Sequence, residues 1–419
     1  MTHKTQKELK PKLRFPEFRS EPGWKTKKAG MLFGDRKEAG EAVLPIYSVT
    51  MHDGMIKRSL LDRKIDDLAE PAGNKKIYKN DIAYNMMRMW QGAFGIAEED
   101  CMVSPAYVVL APKKDVCSRF FGYLFKLPEY LQLLTSHSQG LTKDRLRLYY
   151  KDFSHIPISL PGTHEQTRIA DCLSSLDELI AAHGRKLKAL KAYKKGLMQN
   201  LFPRPGKTQP RLRFPEFRDG PEWEVKELGK ICRFVRGPFG GALKKEIFVS
   251  EGFAVYEQSH AIHKNLEYFR YFINKEKHIE LKRFAVQPND IIMSCSGTMG
   301  KFAILSDDPV PGVINQALLK LTVSKKYNHM FILTTLKLPS SQLKLLSQSA
   351  GGAIKNVVGV SQLKAIEVHV PGKNEQSSIA NCIASLDKLI SSQAQNLESL
   401  LAHKRGLMQQ LFPSLEEES

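Results

Sequence analysis

Glu165-Gln-Thr-Arg-Ile-Ala-Asp-Cys-Leu-Ser-Ser-Leu-Asp177 returns 210 residues later as Glu375-Gln-Ser-Ser-Ile-Ala-Asn-Cys-Ile-Ala-Ser-Leu-Asp387, and that return decides the fold. The whole block from Pro161 to Pro203 recurs from Pro371 to Pro413, with 23 of 43 positions identical. A recurrence of this length marks one structural unit used twice. In the first copy Ile169, Leu173, Leu176, Ile180, His183, Leu187, Leu190, Lys194, Leu197 and Leu201 step by four and three without a break. This spacing keeps one stripe of a helix turned toward a partner helix. The second copy holds the same register through Ile379, Ile383, Leu386, Ile390, Gln393, Leu397, Leu400, Lys404, Leu407 and Leu411. Polar members fall at matching places, His183 with Gln393 and Lys194 with Lys404; inside an apolar seam they lower stability but fix register and partner. Thr163 and Gln166 predict a capping box, and Pro203 and Pro413 stop the helices. A helix from Glu165 to Phe202 would span on the order of 55 Å. Two apolar stripes of equal length in one chain bury most simply against each other, as an antiparallel intramolecular coiled coil. The other arrangement, each helix packed on its own domain, stays open.

Outward from the helices, a second repeat appears. Pro11-Lys-Leu-Arg-Phe-Pro-Glu-Phe-Arg19, followed by Trp24, returns as Pro210-Arg-Leu-Arg-Phe-Pro-Glu-Phe-Arg218, followed by Trp223. Between the repeated blocks lie regions 27–160 and 226–370, which share little sequence; faint matches survive in Pro45-Ile-Tyr47 with Ala254-Val-Tyr256, Asn80-Asp-Ile82 with Asn289-Asp-Ile291, and Gly92-x-x-Gly95 with Gly297-x-x-Gly300. Ordinary turn chemistry accounts for the Asn-Asp and glycine matches. Short apolar runs at Ala106–Ala111, Ile291–Met293 and Leu318–Val323 predict strands. The expectation is a mixed α/β (α+β) class with pseudo-two-fold organisation: entry segment 1–26, globular domain 27–160, helix 161–203, linker and second entry 204–225, globular domain 226–370, helix 371–413 and acidic tail 414–419.

At 419 residues the chain suits two or more domains. No run of about 18 uncharged apolar residues exists to cross a bilayer, and Met1 to Lys12 has no apolar core of a secretory signal, which places the chain in the cytoplasm. Six cysteines lie scattered without zinc spacing and read as reduced, mostly buried thiols. A net charge of +19 points to a polyanionic partner, nucleic acid before anionic membrane.

Catalytic signatures fail. Gly297-Thr-Met-Gly-Lys301 has Phe302 where a phosphate loop needs Ser or Thr for magnesium, and Cys295 stands in place of the first glycine. There is no G-x-G-x-x-G after a strand, no H-E-x-x-H, no G-x-S-x-G elbow, no Asn/Asp-Pro-Pro-aromatic motif and no acidic cluster for a metal-dependent nuclease. His183 reads as a register residue and Asp307-Asp308 as a turn.

The duplicated Leu-Arg-Phe-Pro-Glu-Phe segments, the duplicated Glu-Gln-x-x-Ile-Ala-x-Cys-x-x-Ser-Leu-Asp helices and their Lys-x-Gly-Leu-Met-Gln-x-Leu-Phe-Pro endings resemble the specificity subunits of type I restriction-modification systems. The likeness covers nearly the whole chain. It implies two target recognition domains, each reading half of a bipartite, asymmetric site in double-stranded DNA, with the paired helices setting the gap and docking two methyltransferase subunits. Restriction (helicase-nuclease) subunits would join. Adenine methylation and cleavage, with S-adenosylmethionine, ATP and Mg, would belong to those partners, with no cofactor and no catalysis in this chain. A non-enzymatic coiled-coil assembly scaffold, a stand-alone DNA-binding regulator and a nuclease with an unrecognised centre remain as rivals.

Lysine and arginine on phosphates supply salt-dependent affinity, whereas fork-shaped polar side chains read base edges. On that division the candidates in the first region are Arg88, Trp90 and Gln91 before the Gly92 turn, and Lys143, Arg145 and Arg147 in a basic segment. In the second they are Lys244 and Lys245 after the glycine-rich 237–241 loop, Ser294, Ser296 and Thr298 before a turn, and Lys355 and Asn356 after Gly351 and Gly352. The basic face Arg185, Lys186, Lys188, Lys191, Lys194 and Lys195 reads first as solvated, then as a phosphate or partner surface.

Overall fold

A computed structural model describes residues 9–51, 53–61, 70–142, 145–239, 241–347 and 360–414. The chain divides into two compact units, Met1–Arg185 with Gln395–Ser419, and Lys186–Ala394. Each unit therefore holds one globular region, part of its own long helix and part of the other copy's helix.

In unit 1 the strands are β1 (Lys25–Lys28), β2 (Phe33–Asp35), β3 (Ile46–Val49), β4 (Met55–Lys57), β5 (Lys75–Ile77), β6 (Ile82–Asn85), β7 (Phe94–Ile96), β8 (Cys101–Val103), β9 (Tyr107–Pro112) and β10 (Pro157–Leu160). They form an antiparallel sheet in the order β2-β9-β6-β7, a mixed sheet β4-β3-β8-β5 with β3 parallel to β8, and a ribbon β1-β10. Unit 2 repeats the plan with β11 (Glu224–Glu227), β12 (Cys232–Arg236), β13 (Phe248–Val249), β14 (Phe253–Tyr256), β15 (Phe272–Ile273), β16 (Ile291–Ser294), β17 (Phe302–Ile304), β18 (Gly312–Ile314), β19 (Leu318–Val323) and β20 (Glu367–Val370). Its sheets run β12-β19-β16-β17, β13-β15-β14-β18, with β14 parallel to β18, and β11-β20. All three runs read as strands from sequence are strands: β9, β16 and β19.

The Asn-Asp matches are turns, each feeding a central strand. Asn80 (φ 74°) and Asn289 (φ 63°) take the left-handed conformation that asparagine tolerates best among residues with a Cβ. The next aspartates hold the turn closed, with Asp81 Oδ2 accepting from the Tyr78 N–H at 3.0 Å and Asp290 Oδ2 from the Gln287 N–H at 2.8 Å. Both carboxylates are buried, so each needs a cation. Asp81 takes it from Arg36, which follows β2, at 2.6 and 3.2 Å. Asp290 takes it from Lys320 on β19, 3.6 Å away, with the Thr322 hydroxyl donating at 2.6 Å. The same two facing positions are involved: Val235 pairs with Lys320 across β12 and β19, while the Arg36 N–H bonds the Val109 carbonyl of β9. One domain has Arg beside Val, the other Val beside Lys.

Each core joins a sheet to the helix ends. In unit 1 Phe33, Phe120, Phe121, Phe125 and Phe153 pack with Trp24, Ile169, Leu173, Leu411 and Phe412. In unit 2 Trp223 and Phe331 pack with Leu201, Phe202, Ile379 and Ile383. At Gly312 an added Cβ would stand 2.0 Å from the Ala254 carbonyl oxygen of the neighbouring parallel strand. Gly312→Ala is expected to destabilise by about 1–3 kcal/mol in urea unfolding because β14 and β18 must separate. Gly184, inside its helix with nothing within 4 Å of an added Cβ, is the opposite case. The second copy already carries Ala394 there, and Gly184→Ala is expected to stabilise by about 1 kcal/mol.

Candidate nucleic-acid interface

The long helices, Thr163–Leu201 and Lys373–Leu411, have 39 residues each. All twenty stepped positions are buried or half-buried, and the residues between them are mostly exposed, Leu179 and Leu389 among them. Within unit 1 Lys404 bonds Asp177 at 2.5 Å; within unit 2 Lys194 bonds Asp387. The 210-residue shift converts one pair into the other, so the seam lysines fasten the first part of one helix to the last part of the other in both units. The boundary between units falls beside the polar positions His183 and Gln393.

The other repeated residues fix each globular region to its helix ends. Arg14 forks onto Glu165 at 2.8 and 2.6 Å, and Arg213 onto Glu375 at 2.9 and 2.6 Å, with all four side chains less than a tenth exposed. The Trp24 ring meets Phe412 edge-on at 5.9 Å and the Trp223 ring meets Phe202 at 6.1 Å. Leu13 and Leu212 donate their N–H groups to the Gln410 and Asn200 carbonyls, satisfying acceptors that a helix end leaves open. The expected capping box is not formed. Thr163 already lies in the first turn and its hydroxyl donates to the Asp115 carbonyl, while the Gln166 side chain accepts from the Cys117 N–H and donates to the Pro161 carbonyl. Gln376 repeats this with the Asn328 N–H and Pro371. These glutamines tie the helix start to the adjoining domain helix, a longer-range use than capping.

On this frame stand two hairpin loops at equivalent places, between β6 and β7 and between β16 and β17. Arg88 and Gln91 are exposed on the first, around a short 3-10 turn ended by Gly92 (φ 85°). Trp90 is half-buried, and its ring N–H donates to the Met87 carbonyl at 3.0 Å. Arg145 and Arg147 are also exposed, and the residue after them meets the start of the same loop, where the Leu148 N–H bonds the Met86 carbonyl. In the second loop Thr298 is exposed and Ser296 half-buried. Ser294 is fully buried and its hydroxyl accepts from the Lys301 N–H at 3.0 Å, so it closes the hairpin and is not free to read a base. Lys244 and Lys245 are exposed before β13, apart from that hairpin in the sheet plan. Lys143, Lys355 and Asn356 lie outside the described residues.

Two features escaped the sequence reading. Gln258 opens a helix, Gln258–His263, and its amide donates to the Ser296 and Thr298 carbonyls, fixing the second loop. The only hint was a lone Gln after the Val-Tyr match. Lys126-Leu-Pro128 also recurs as Lys337-Leu-Pro339, too short a match to stand out in divergent sequence.

Gly297-Thr-Met-Gly-Lys301 spans this hairpin turn, with Gly297 and Gly300 at positive φ. Among the described residues no group of three or more His, Cys, Asp or Glu side chains is placed to hold a metal ion. The six cysteines are unpaired, three buried and three half-buried; burial pushes the Cys232 thiol up to about 12 and the Cys295 thiol up to about 11, which keeps both protonated and unreactive. No helix among the described residues is long and apolar enough to cross a membrane.

A family model described as the type I restriction modification DNA specificity domain matches residues 25–192 and 221–402. The putative type I restriction enzyme MjaX specificity subunit of Methanocaldococcus jannaschii is 27% identical over 264 residues, which are 62% of this chain and 59% of that relative. The chain thus matches less than two thirds of that relative's length. The MjaVIII specificity subunit of the same organism is 24% identical over 350 residues, 81% of this chain and 80% of the relative. The fold is similar to the crystal structure of the type I restriction-modification S subunit from M. genitalium, with a TM-score of 0.59 at 17% identity over 97% of this chain and all of that one. A second likeness, TM-score 0.52 at 15% identity over 94% and 98% of the two chains, is to a chain from a structure concerning assembly and conformational transition of the type I R-M system.

Proposed function

The chain belongs to the type I restriction-modification DNA specificity family, and from that premise we propose that it selects the DNA sequence on which a restriction-modification complex acts. Each globular domain reads one half of a bipartite site, and the chain itself performs no chemistry. The observation that carries the reading is one frame built twice with different loops on it. Arg14, Glu165 and Trp24 are matched by Arg213, Glu375 and Trp223, while Arg88 and Gln91 stand on the hairpin loop where the other domain has Ser296 and Thr298. A +19 surplus suits a phosphate backbone.

Arg88, Gln91, Arg145 and Arg147 would meet the first half-site, with the Trp90 ring beside them. Ser296, Thr298, Lys244 and Lys245 would meet the second. Two methyltransferase subunits would dock on the helices, and restriction subunits would complete the assembly in the cytoplasm. S-adenosylmethionine, ATP and Mg would be used there. Exchange of residues 27–160 for the region of another family member tests the modular reading. Base-modification mapping of the host genome is expected to show one half of the methylated motif replaced and the other kept; a change in both halves would refute it.

A further inference from the structure

In the second domain the two groups of DNA-contact candidates, Lys244 with Lys245 and Ser296 with Thr298, are joined by residues that the sequence did not single out. Glu257 lies at the centre. It lines a surface cavity of about 250 Å³ with Lys245, Phe248 and Tyr271, and a second of about 400 Å³ with Tyr268 and Arg270. The next residue, Gln258, holds the second hairpin loop by donating to the Ser296 and Thr298 carbonyls. One surface of unit 2 thus runs from Lys245 past Arg270 to the loop.

Arg270 stands on this surface in a fixed pose. Its guanidinium lies over the Tyr271 ring, 4.5 Å from the centroid, and that ring stacks on Phe248 at 4.4 Å. Its Nη2 donates to Glu257 Oε1 at 2.8 Å. Glu257 is held in turn: its carboxylate caps the helix Gln258–His263 by accepting from the His260 N–H, and its own N–H donates to the His260 ring Nδ1 at 2.8 Å. The other ring nitrogen of the buried His260 then carries the proton and donates to the Tyr268 carbonyl at 3.0 Å, two residues before Arg270. Yet the Arg270 side chain is 61% exposed, and among the described residues Glu257 is its one hydrogen-bond partner. Holding a long exposed side chain in one pose costs rotamer entropy, and the cost is recovered when a pre-organised planar fork meets a planar acceptor. A phosphate is a poor fit, because the Glu257 carboxylate beside the fork neutralises it and repels an anion. A guanine edge is neutral and offers O6 and N7 at the spacing of the fork. In the first domain Ser48 follows the matched tyrosine where Glu257 does in the second, so the arrangement belongs to one reader and not to the common frame.

We propose that Arg270 is a specificity-determining residue that reads one guanine of the second half-site, with Glu257 as the residue that positions it. This rests on the DNA-reading function above. The base contact comes from the edge of the mixed sheet β13-β15-β14-β18, and Gln258 keeps it in register with the hairpin loop of the other sheet.

The test uses the full chain with its modification subunits and duplexes carrying the mapped bipartite site, each with one base pair replaced, and affinity is read by fluorescence anisotropy. In the parent, replacing the guanine read by Arg270 is expected to weaken binding on the order of 10- to 10²-fold. Arg270→Ala is expected to erase that penalty at one position of the second half-site and to keep the penalties at every other position, the whole first half-site included. Glu257→Gln, which keeps a side-chain oxygen for the cap, should shrink the penalty at that same position alone. Equal weakening of every duplex by Arg270→Ala, with the log-log salt slope falling by about 0.9, would make the arginine a phosphate contact and overturn the proposal. So would unchanged penalties throughout, or a second half-site made only of A·T pairs. Penalties reduced at all positions by Glu257→Gln, together with a lowered melting transition, would overturn the positioning role and leave only the cap. A parent complex that prefers no site is a separate result and would refute the DNA-reading function itself.

Discussion

Lys320→Met is expected to destabilise unit 2 by about 3–5 kcal/mol, and adding Val235→Arg to the same chain is expected to restore most of the loss. Lys320 is 1% exposed and Asp290 fully buried. Burial raises the Asp290 carboxyl and lowers the Lys320 ammonium from their ordinary values, and each charge is offset by the other, with the Thr322 hydroxyl also donating to the carboxylate and the Ala285 carbonyl also accepting from the ammonium. Without the lysine, Asp290 must either stay charged with no counter-ion or take up a proton, and its bond to the Gln287 N–H, which closes the turn before β16, weakens with it. Unit 1 supplies the rescue. There Val109 stands at the position of Lys320, and Arg36 stands at the position of Val235 and neutralises Asp81. For a unit of this size the single change should lower the unfolding temperature by on the order of 10 °C in calorimetry. Equal losses in the single and double variants would show that the two facing positions are not interchangeable.

That exchange also explains why the frame could be read from sequence and the reading domains could not. The frame is built of contacts between repeated residues: Arg14 with Glu165, Trp24 with Phe412, Lys404 with Asp177. Both partners of each contact had to recur, so the repeat and the heptad steps exposed them. Even so, spacing points Gln166 to a cap, because it cannot reveal a partner 49 residues away, the Cys117 N–H. Inside the domains a shared requirement is met by different residues, as with the cation for Asp81 and Asp290, and the only common trace is the Asn-Asp turn itself. The hairpin loops carry less still. Ser294 is like Ser296 and Thr298 in being small and polar before a turn, yet strand β16 ends at Ser294 and buries it. Burial of a central strand on both faces through its last residue is a tertiary fact that composition does not contain.

Lengthening or shortening the gap in the recognised site by three base pairs is expected to weaken binding by on the order of 10²-fold, measured with the chain and its modification subunits on duplexes that keep both half-sites intact. Thr163–Leu201 and Lys373–Leu411 are each one unbroken helix, yet each contributes residues to both units, with the divisions at Arg185 and Ala394. The seam lysines at 194 and 404 and the aspartates at 177 and 387 fasten the helices within each unit, so neither helix can slide without breaking an ion pair and exposing apolar seam. On the proposed function such a pair is a ruler. Two linked half-site contacts gain on the order of 10²- to 10⁴-fold over either alone, and the gain is lost when geometry forbids both at once. Three base pairs move the second half-site by about 10 Å and rotate it by nearly a third of a turn, far more than side chains on a fixed loop can follow. Removal of one half-site should cost about as much as the altered gap, because both leave a single contact. Equal binding across gaps would mean that the helices do not set spacing, and would leave the two domains as independent readers on a flexible join.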